Sequence, residues 1–317
     1  MRILFTGKNY SQGLKDLDPS SLAGAAQSLG FEMVDSIEDK PDTVICVDFD
    51  KSALSVIHQA RSKGINTVLV VNEPEVVIPQ HAQSRIRKKF DLILEVGRPW
   101  AKPKLKWPQT WLPVSDNSER LNRVVLVNAD KWSFMRGQHY WLRAAAASKI
   151  ETVDVFGFGW ERPLFVRLSH RLFELLRTIS SRSVPNFQGF TKILAKPNSY
   201  KGSISNKNIA MSIYKVALVV ENSSEFLTEK LFDAWFAGCI PVYLGPPVEA
   251  FGIPEHLIVP VKELNVHGVR KALDEALAKN REAFIQDLNE FLASEDAAKW
   301  KANAALKAIL NSATAVS

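Results

Sequence analysis

A chain of 317 residues exceeds what one hydrophobic core usually organises and suits two α/β domains of about 150 residues each. With 46% hydrophobic and 23% charged residues, few glycines and no low-complexity tract, a disordered or fibrous protein is excluded. The net charge of +6 asks for a polyanionic partner, and a nucleotide-sugar diphosphate, an anionic membrane surface and a nucleic acid all meet that demand.

The chain opens on Met-Arg-Ile-Leu-Phe-Thr-Gly, which reads as a first strand and not as a signal peptide, and no apolar run approaches the roughly 18 residues of a membrane span. A cytoplasmic location is therefore expected. Residues 2–5, 42–47, 67–71 and 91–95 are predicted as strands buried on both faces, with helices over 22–29 and 52–63 between them, giving a parallel sheet. The turn after the first strand, from Thr6 to Gly13, has two glycines at the wrong spacing for a dinucleotide fingerprint, which argues against an oxidoreductase. Pro99, Pro103, Pro108 and Pro113 mark an irregular connector, so domains are expected over 1–117 and 118–317, with the last helices able to pack back on the first.

A second α/β run follows: a strand from Arg123, a helix over 137–148, a strand over 152–156, a strand from Lys215, a helix ending at Phe236 and a strand over 240–244. The stretch 163–182, opened by Pro163 and closed by Arg182, sets Leu164, Phe165, Leu168, Leu172, Leu175, Leu176 and Ile179 against Arg167, Arg171, Arg177 and Arg182, with Arg162 just before it. A helix of this kind is expected to face the core. Peripheral contact with a membrane surface is its alternative reading.

The most informative segment runs from Glu221 to Gly245 as strand, polar loop, helix start, glycine stop and strand. Ligands of open parallel sheets bind beyond the carboxyl ends of the strands, where this loop lies. Thr228 is expected to cap the helix, leaving backbone N–H groups and Lys230 to favour a diphosphate, with Glu229 accepting from ribose or sugar hydroxyls. Taken alone, Thr228, Glu229 and Lys230 would only cap and solubilise a helix.

Order and length of the segment say more. Glu-Asn-Ser, Thr-Glu-Lys-Leu and Ala-Gly-Cys-Ile-Pro-Val-Tyr-Leu-Gly, preceded by Asn128 to Arg143, Val153 to Trp160, Tyr200-Lys-Gly and Asn206-Lys-Asn, resemble the α-1,3/4-fucosyltransferases of glycosyltransferase family ten. The likeness covers about residues 122–260 and is loose over the first hundred. It implies a GT-B fold, two Rossmann-like parallel-sheet domains facing a cleft. It further implies inverting transfer of L-fucose from GDP-fucose to a glycan acceptor, with no metal or other cofactor.

By the same resemblance Arg143 would bind the diphosphate, as suits a forked, permanently charged donor, with Lys230 assisting and Glu229 holding the nucleotide-sugar. Asn222 and Ser223 would shape the pocket, and Phe226 stands where the family often has a tyrosine, keeping a stacking role without the hydroxyl. The loop from Glu221 to Thr228 is shorter than the family's commoner pattern. Glu221 is read equally as a structural cap and as a ligand contact, and Tyr140, Gly157 and Lys207 join the candidates.

Inversion needs a carboxylate to take the acceptor's proton. Glu73, at the end of the strand over 67–71 and before a proline, is the expected base, with Glu75 its alternative. Asp48-Phe-Asp50 is read as a helix cap and not as a metal site, and the six histidines show no ligand spacing. Among these His139 stands near Arg143 on the predicted helix. Gly157-Phe-Gly-Trp160 is read as a tight turn. Cys46 and Cys239 are expected as buried thiols. Nucleic-acid binding is disfavoured because the basic residues are dispersed, the run Arg85-Ile-Arg-Lys-Lys reading as a solvated helix face. Another nucleotide-sugar, or a GT-B protein that binds without catalysis, are the rival functions.

Overall fold

The computed structural model describes residues 1–8 and 21–315 in two compact units, Met1–Trp111 with Ala297–Ser317, and Leu112–Asp296. The Thr6 to Gly13 turn lies mostly outside the described residues.

The first unit contains β1 (Arg2–Thr6), α1 (Leu22–Ser28), β2 (Glu32–Val34), β3 (Thr43–Val47), α2 (Ala53–Ser62), β4 (Asn66–Val71), α3 (Ser84–Arg87) and β5 (Leu92–Glu95). Its described strands form a five-stranded parallel sheet in the order β2-β1-β3-β4-β5. Side chains alternate between the two faces of a strand. Ile3, Phe5, Ile45, Val47, Val68, Val70 and Leu94 accordingly share one face, closed by Leu22, Ala25 and Ala26 of α1 and by Ile309, Leu310 and Ala313 from the end of the chain. The opposite face buries Val44, Cys46, Leu69 and Val71, with Ala53, Ile57 and Ala60 of α2 also buried. Both faces being covered, the strands read as the unbroken apolar runs that parallel sheets require.

The second unit contains β6 (Leu121–Val127), α4 (Tyr140–Lys149), β7 (Val153–Phe156), α5 (Leu164–Ser180), β8 (Ser199–Gly202), α6 (Lys207–Met211), β9 (Tyr214–Val220), α7 (Lys230–Phe236), β10 (Ile240–Leu244), β11 (Val259–Pro260), α8 (Val266–Ala278) and α9 (Arg281–Leu292). Among the described residues its sheet is six-stranded and parallel, in the order β11-β10-β9-β6-β7-β8. Trp235 of α7 is fully buried, donates its indole N–H to the Leu257 carbonyl at 3.1 Å, and meets Phe232 and Phe291 edge to face. After α9 come α10 (Glu295–Ala298) and α11 (Ala302–Thr314), and α11 belongs to the first unit, packed on α1 and β5. The proline-rich connector is tied into that unit too: Gln109 donates to the Trp300 carbonyl at 2.8 Å and accepts from the Ala302 N–H at 2.9 Å. Cys46 and Cys239 are free, buried thiols, and burial pushes both pKa values up, that of Cys239 to about 12.

One expectation is overturned. In α5 the arginines face inward and the apolar residues outward: Arg167 and Arg171 are buried, whereas Leu164, Phe165, Leu168, Leu172, Phe173, Leu176 and Ile179 are exposed. The cause is Asp130, a buried carboxylate after β6. Arg167 donates to it at 2.7 Å and Arg171 forms a second short ion pair, while their remaining nitrogens donate to the carbonyls of Ile193, Leu194 and Ala195. Stripping one partner from such a buried set costs about 3–5 kcal/mol, which holds the two arginines inward once Asp130 is buried.

Candidate active site

In the second unit the carboxyl ends of the strands present Asn128 after β6, Gly157 after β7, Glu221 after β9 and Tyr243 near the end of β10. Glu221 is fully buried and folds the loop behind it back on itself. Its Oε1 accepts the Thr228 N–H at 2.9 Å, and its Oε2 accepts the Thr228 hydroxyl at 2.8 Å and the Lys230 ammonium at 3.3 Å. Lys230 also donates to the Thr228 hydroxyl oxygen at 2.8 Å. Thr228 is therefore not the helix cap that its sequence context suggests. Glu229 holds the cap position of the seven-residue α7 with no side-chain cap bond, because Glu221 has already engaged Thr228.

Arg143 is buried in α4, a helix buried nearly all round from Leu142 to Ala147, whose four alanines are small enough to let it approach its neighbours closely. Its Nε donates to the Val220 carbonyl at 3.0 Å, its Nη1 to Asn128 Oδ1 at 3.0 Å and its Nη2 to Asn222 Oδ1 at 2.9 Å, with a second, short bond from Nη2 to Val220. The Tyr140 ring lies 4.8 Å from the guanidinium carbon. Burial lowers the Arg143 pKa, opposed by Tyr140, Glu221 and Glu229. Arg143 thus joins the ends of β6 and β9 and sets the position of Asn222.

Next to it His139 donates its backbone N–H to the Asn222 carbonyl at 3.0 Å. Its ring is buried, and burial followed by the Arg143 charge pulls its pKa down to about 4, so the imidazole is neutral near pH 7. His139 Nδ1 and the Tyr243 hydroxyl are buried polar atoms without a hydrogen-bond partner among the described residues. Burial, and then Glu221, hold the Tyr243 hydroxyl well above its ordinary pKa. Buried polar atoms are nearly always bonded, so these two single out the region as a candidate ligand site. Tyr243 went unnoticed in the sequence, although a tyrosine at the carboxyl end of a parallel strand is a readable signal.

Other candidates flank this cluster. Ser223 is buried and bridges to Gln138, and its hydroxyl accepts the Glu225 N–H at 3.3 Å. Glu229 lies 3.8 Å from both Lys230 and Lys207; burial would raise its pKa, but the two ammonium groups prevail and lower it. Lys207, opening α6, also pairs with Asp233 at 3.0 Å. Phe226 is fully buried, which gives it a packing role beneath the loop in this conformation, with no ring face open for stacking. Gly157 is required by its backbone: at φ +136° an added Cβ would sit 2.6 Å from the Asn128 carbonyl carbon. Among the described residues no group of three or more His, Cys, Asp or Glu could hold a metal ion.

In the first unit Glu73 follows β4 and its backbone is clamped from both sides. Asp48, buried at φ +53°, accepts the Asn72 and Glu73 N–H groups on one carboxylate oxygen, each at 2.9 Å. His81 accepts the Phe49 N–H on Nε2 at 3.0 Å, which places its proton on Nδ1, 2.9 Å from the Glu73 carbonyl. Burial lowers the His81 pKa against the pull of Asp48, consistent with the neutral ring this bonding demands. Asp50, not Asp48, does the helix capping: its Oδ1 accepts from the Ser52 N–H at 2.7 Å and the Ala53 N–H at 3.2 Å. Glu75 is paired with the buried Arg98, which also lies 3.7 Å from Glu95. In the basic run, Arg87 pairs with Glu95 at 2.8 Å.

The sequence matches no family model and no curated protein. Its fold is another matter. An α1,3-fucosyltransferase matches with a TM-score of 0.55 at 16% identity, covering 98% of this chain and 88% of that one. Anabaena HepE in complex with UDP and glucose matches at 0.58 and 10% identity, covering 99% and 100%. The apo lipopolysaccharide outer core galactosyltransferase WaaB matches at 0.54 and 11%, covering all of both chains. The chain has the GT-B fold of glycosyltransferases. At such identities the likeness extends to architecture alone, and the two parallel-sheet α/β units agree with the fold expected from the sequence.

Proposed function

We propose that the chain is an inverting glycosyltransferase that moves L-fucose from GDP-fucose to a glycan acceptor. The observation that carries this reading is the cluster at the carboxyl ends of β6, β9 and β10, where Arg143 and Lys230 stand with Glu221, Asn222, Thr228 and the two orphaned groups of His139 and Tyr243. Cations gathered beyond the strand ends suit a nucleotide diphosphate. Lys230, shared between Glu221 and Thr228, exchanges those partners for phosphate oxygens, and Glu229 takes a ribose or sugar hydroxyl. The positive side chains carry the charge of the departing diphosphate, so the proposal needs no divalent ion.

Glu73 takes the acceptor hydroxyl's proton as its oxygen bonds to the anomeric carbon of fucose. The bond from that carbon to the β-phosphate oxygen breaks, its electron pair leaves with GDP, and the configuration inverts. Glu73 is preferred to Glu75 because it lies nearer the carboxyl end of β4. Asp48 and His81 hold the backbone of residue 73 in place for this task.

GDP release from GDP-fucose, measured in chelator with and without galactose- and N-acetylglucosamine-terminated glycans, tests the reading. Acceptor-dependent release is expected, and Glu73→Gln is expected to lower it by about 10²–10⁴-fold while GDP still binds. Full activity in Glu73→Gln would remove Glu73 from the mechanism. Release only from UDP-sugars would change the donor, and nucleotide binding without release from any donor would leave a GT-B binding protein.

A further inference from the structure

Helix α5 carries its apolar stripe on the outside, with Phe165 73% and Phe173 63% exposed beside Leu168, Leu172, Leu176 and Ile179. The inversion is locked in place by the ion pairs of Arg167 and Arg171 with Asp130, so the helix is not free to roll its leucines inward. Contiguous apolar surface of this kind on one helix marks an interaction site.

The charge around it identifies the partner. Residues 161–196 contain seven Lys or Arg against two Glu, and apart from Arg167 and Arg171, buried on Asp130, the other five cations are not buried. Glu174 pairs with Arg177 at 3.0 Å, and Glu161 accepts the Gly159 N–H at 2.9 Å and the Tyr200 hydroxyl at 2.8 Å, which leaves Arg162, Arg182, Lys192 and Lys196 as the outward positive charge. Arg182 and Lys196 are exposed. A second copy of the chain would set this basic region against itself across a twofold axis. An anionic lipid surface sets apolar side chains against acyl chains and cations against headgroups. No helix of the described residues is long and apolar enough to cross a membrane, so such a helix would lie in the interface.

We propose that α5 is a monotopic membrane-binding helix that seats the second unit on an anionic bilayer through Phe165, Leu168, Leu172, Phe173, Leu176 and Ile179. This is independent of which nucleotide-sugar the protein uses.

The test is co-sedimentation of the full chain with vesicles of phosphatidylcholine alone and of phosphatidylcholine with phosphatidylglycerol. Binding to the anionic vesicles is expected, at least about tenfold weaker on the neutral ones and weakened by salt. Replacing Phe165, Leu172 and Phe173 together by serine removes the binding with the circular dichroism spectrum unchanged, since the positions are exposed. As a second readout, Phe165→Cys labelled with an environment-sensitive fluorophore shifts its emission to the blue on anionic vesicles only; Cys46 and Cys239 are buried and escape the label. Wild-type protein left in the supernatant with both vesicles, or a triple variant that binds like wild type, overturns the proposal. Equal binding to both lipids overturns the choice of an anionic surface. A concentration-dependent dimer that the triple variant abolishes, with no vesicle binding, assigns the face to a second copy instead.

Discussion

At the amino end of the six-stranded sheet Asp154 accepts two bonds from Arg123, at 2.9 and 2.6 Å, one from Ser199 at 2.5 Å and one from the Tyr214 hydroxyl at 3.1 Å. At the carboxyl end, within the same sheet, Glu221 is as deeply buried but its neighbours include a histidine nitrogen and a tyrosine hydroxyl with no partner. The first arrangement ties β6, β7, β8 and β9 together and leaves nothing over. The second leaves donors and acceptors unspent in a place where burial makes that costly. Polar groups kept at a cost to the fold belong to binding. Those that repay their burial belong to architecture.

The two ends should therefore fail at different pH values, with the carboxyl end failing first and by more. Burial and Arg143 depress His139 to about 4 in the folded chain, from an ordinary 6.5. Above pH 6.5 the ring is neutral folded or unfolded and its contribution is complete; as pH falls toward 4 the unfolded chain gains a proton that the folded one refuses. Stability falls by up to about 3 kcal/mol over that window. His139→Asn is expected to flatten this limb in thermal melts taken from pH 7 to pH 4. A limb of the same depth in the variant would place the proton elsewhere.

The amino end gives a smaller effect at lower pH. Burial would raise Asp154, but its bonds from Arg123, Ser199 and Tyr214 win and hold it at about 2, below an ordinary 3.8. Its contribution is present above pH 3.8 and lost as pH falls through the folded value, about 2 kcal/mol in all. Asp154→Asn should cost a comparable amount at pH 7 and leave the dissociation constant for GDP unchanged. A loss of nucleotide affinity in that variant would break the division between the two ends.

How much of this could be read in the sequence follows from how local each cause is. The central strands were legible because Val44 to Val47, Val124 to Leu126 and Val216 to Val220 are buried on both faces and need no alternation. β2, β8 and β11 were missed: they are short edge strands of four residues or fewer, two of them carrying exposed polar residues. The pattern of α5 showed two faces and not which one was inside, since that is decided by Asp130, far away in the chain from Arg167 and Arg171. Asn222, Thr228 and Lys230 could be named as a group from their segment, and the bonds of Thr228 and Lys230 to Glu221 stay within it, but the bond of Asn222 to Arg143 depends on where α4 delivers that side chain. Gln109 and Trp111 of the proline-rich connector are held by residues 300–302 from the far end of the chain, a pairing that no local pattern shows.

The smallest expected effect separates the two ends most sharply. Tyr243 keeps a hydroxyl buried beside Glu221 with no partner among the described residues, and an unbonded buried hydroxyl destabilises the fold that contains it. Tyr243→Phe keeps the ring and removes only that oxygen, so the free protein should be unchanged or more stable by up to about 1 kcal/mol. If the hydroxyl waits for a nucleotide-sugar, the same variant loses one hydrogen bond to it, and the dissociation constant should rise by about three- to tenfold. Tyr214→Phe is the matched control at the other end, where the hydroxyl donates to Asp154: stability falls there and affinity does not. The melting curves of the two variants thus differ in sense, and only Tyr243→Phe moves the nucleotide titration. Should Tyr243→Phe lose stability with affinity intact, the orphaned hydroxyl would be part of the fold after all, and the carboxyl end would have to be read as the amino end is.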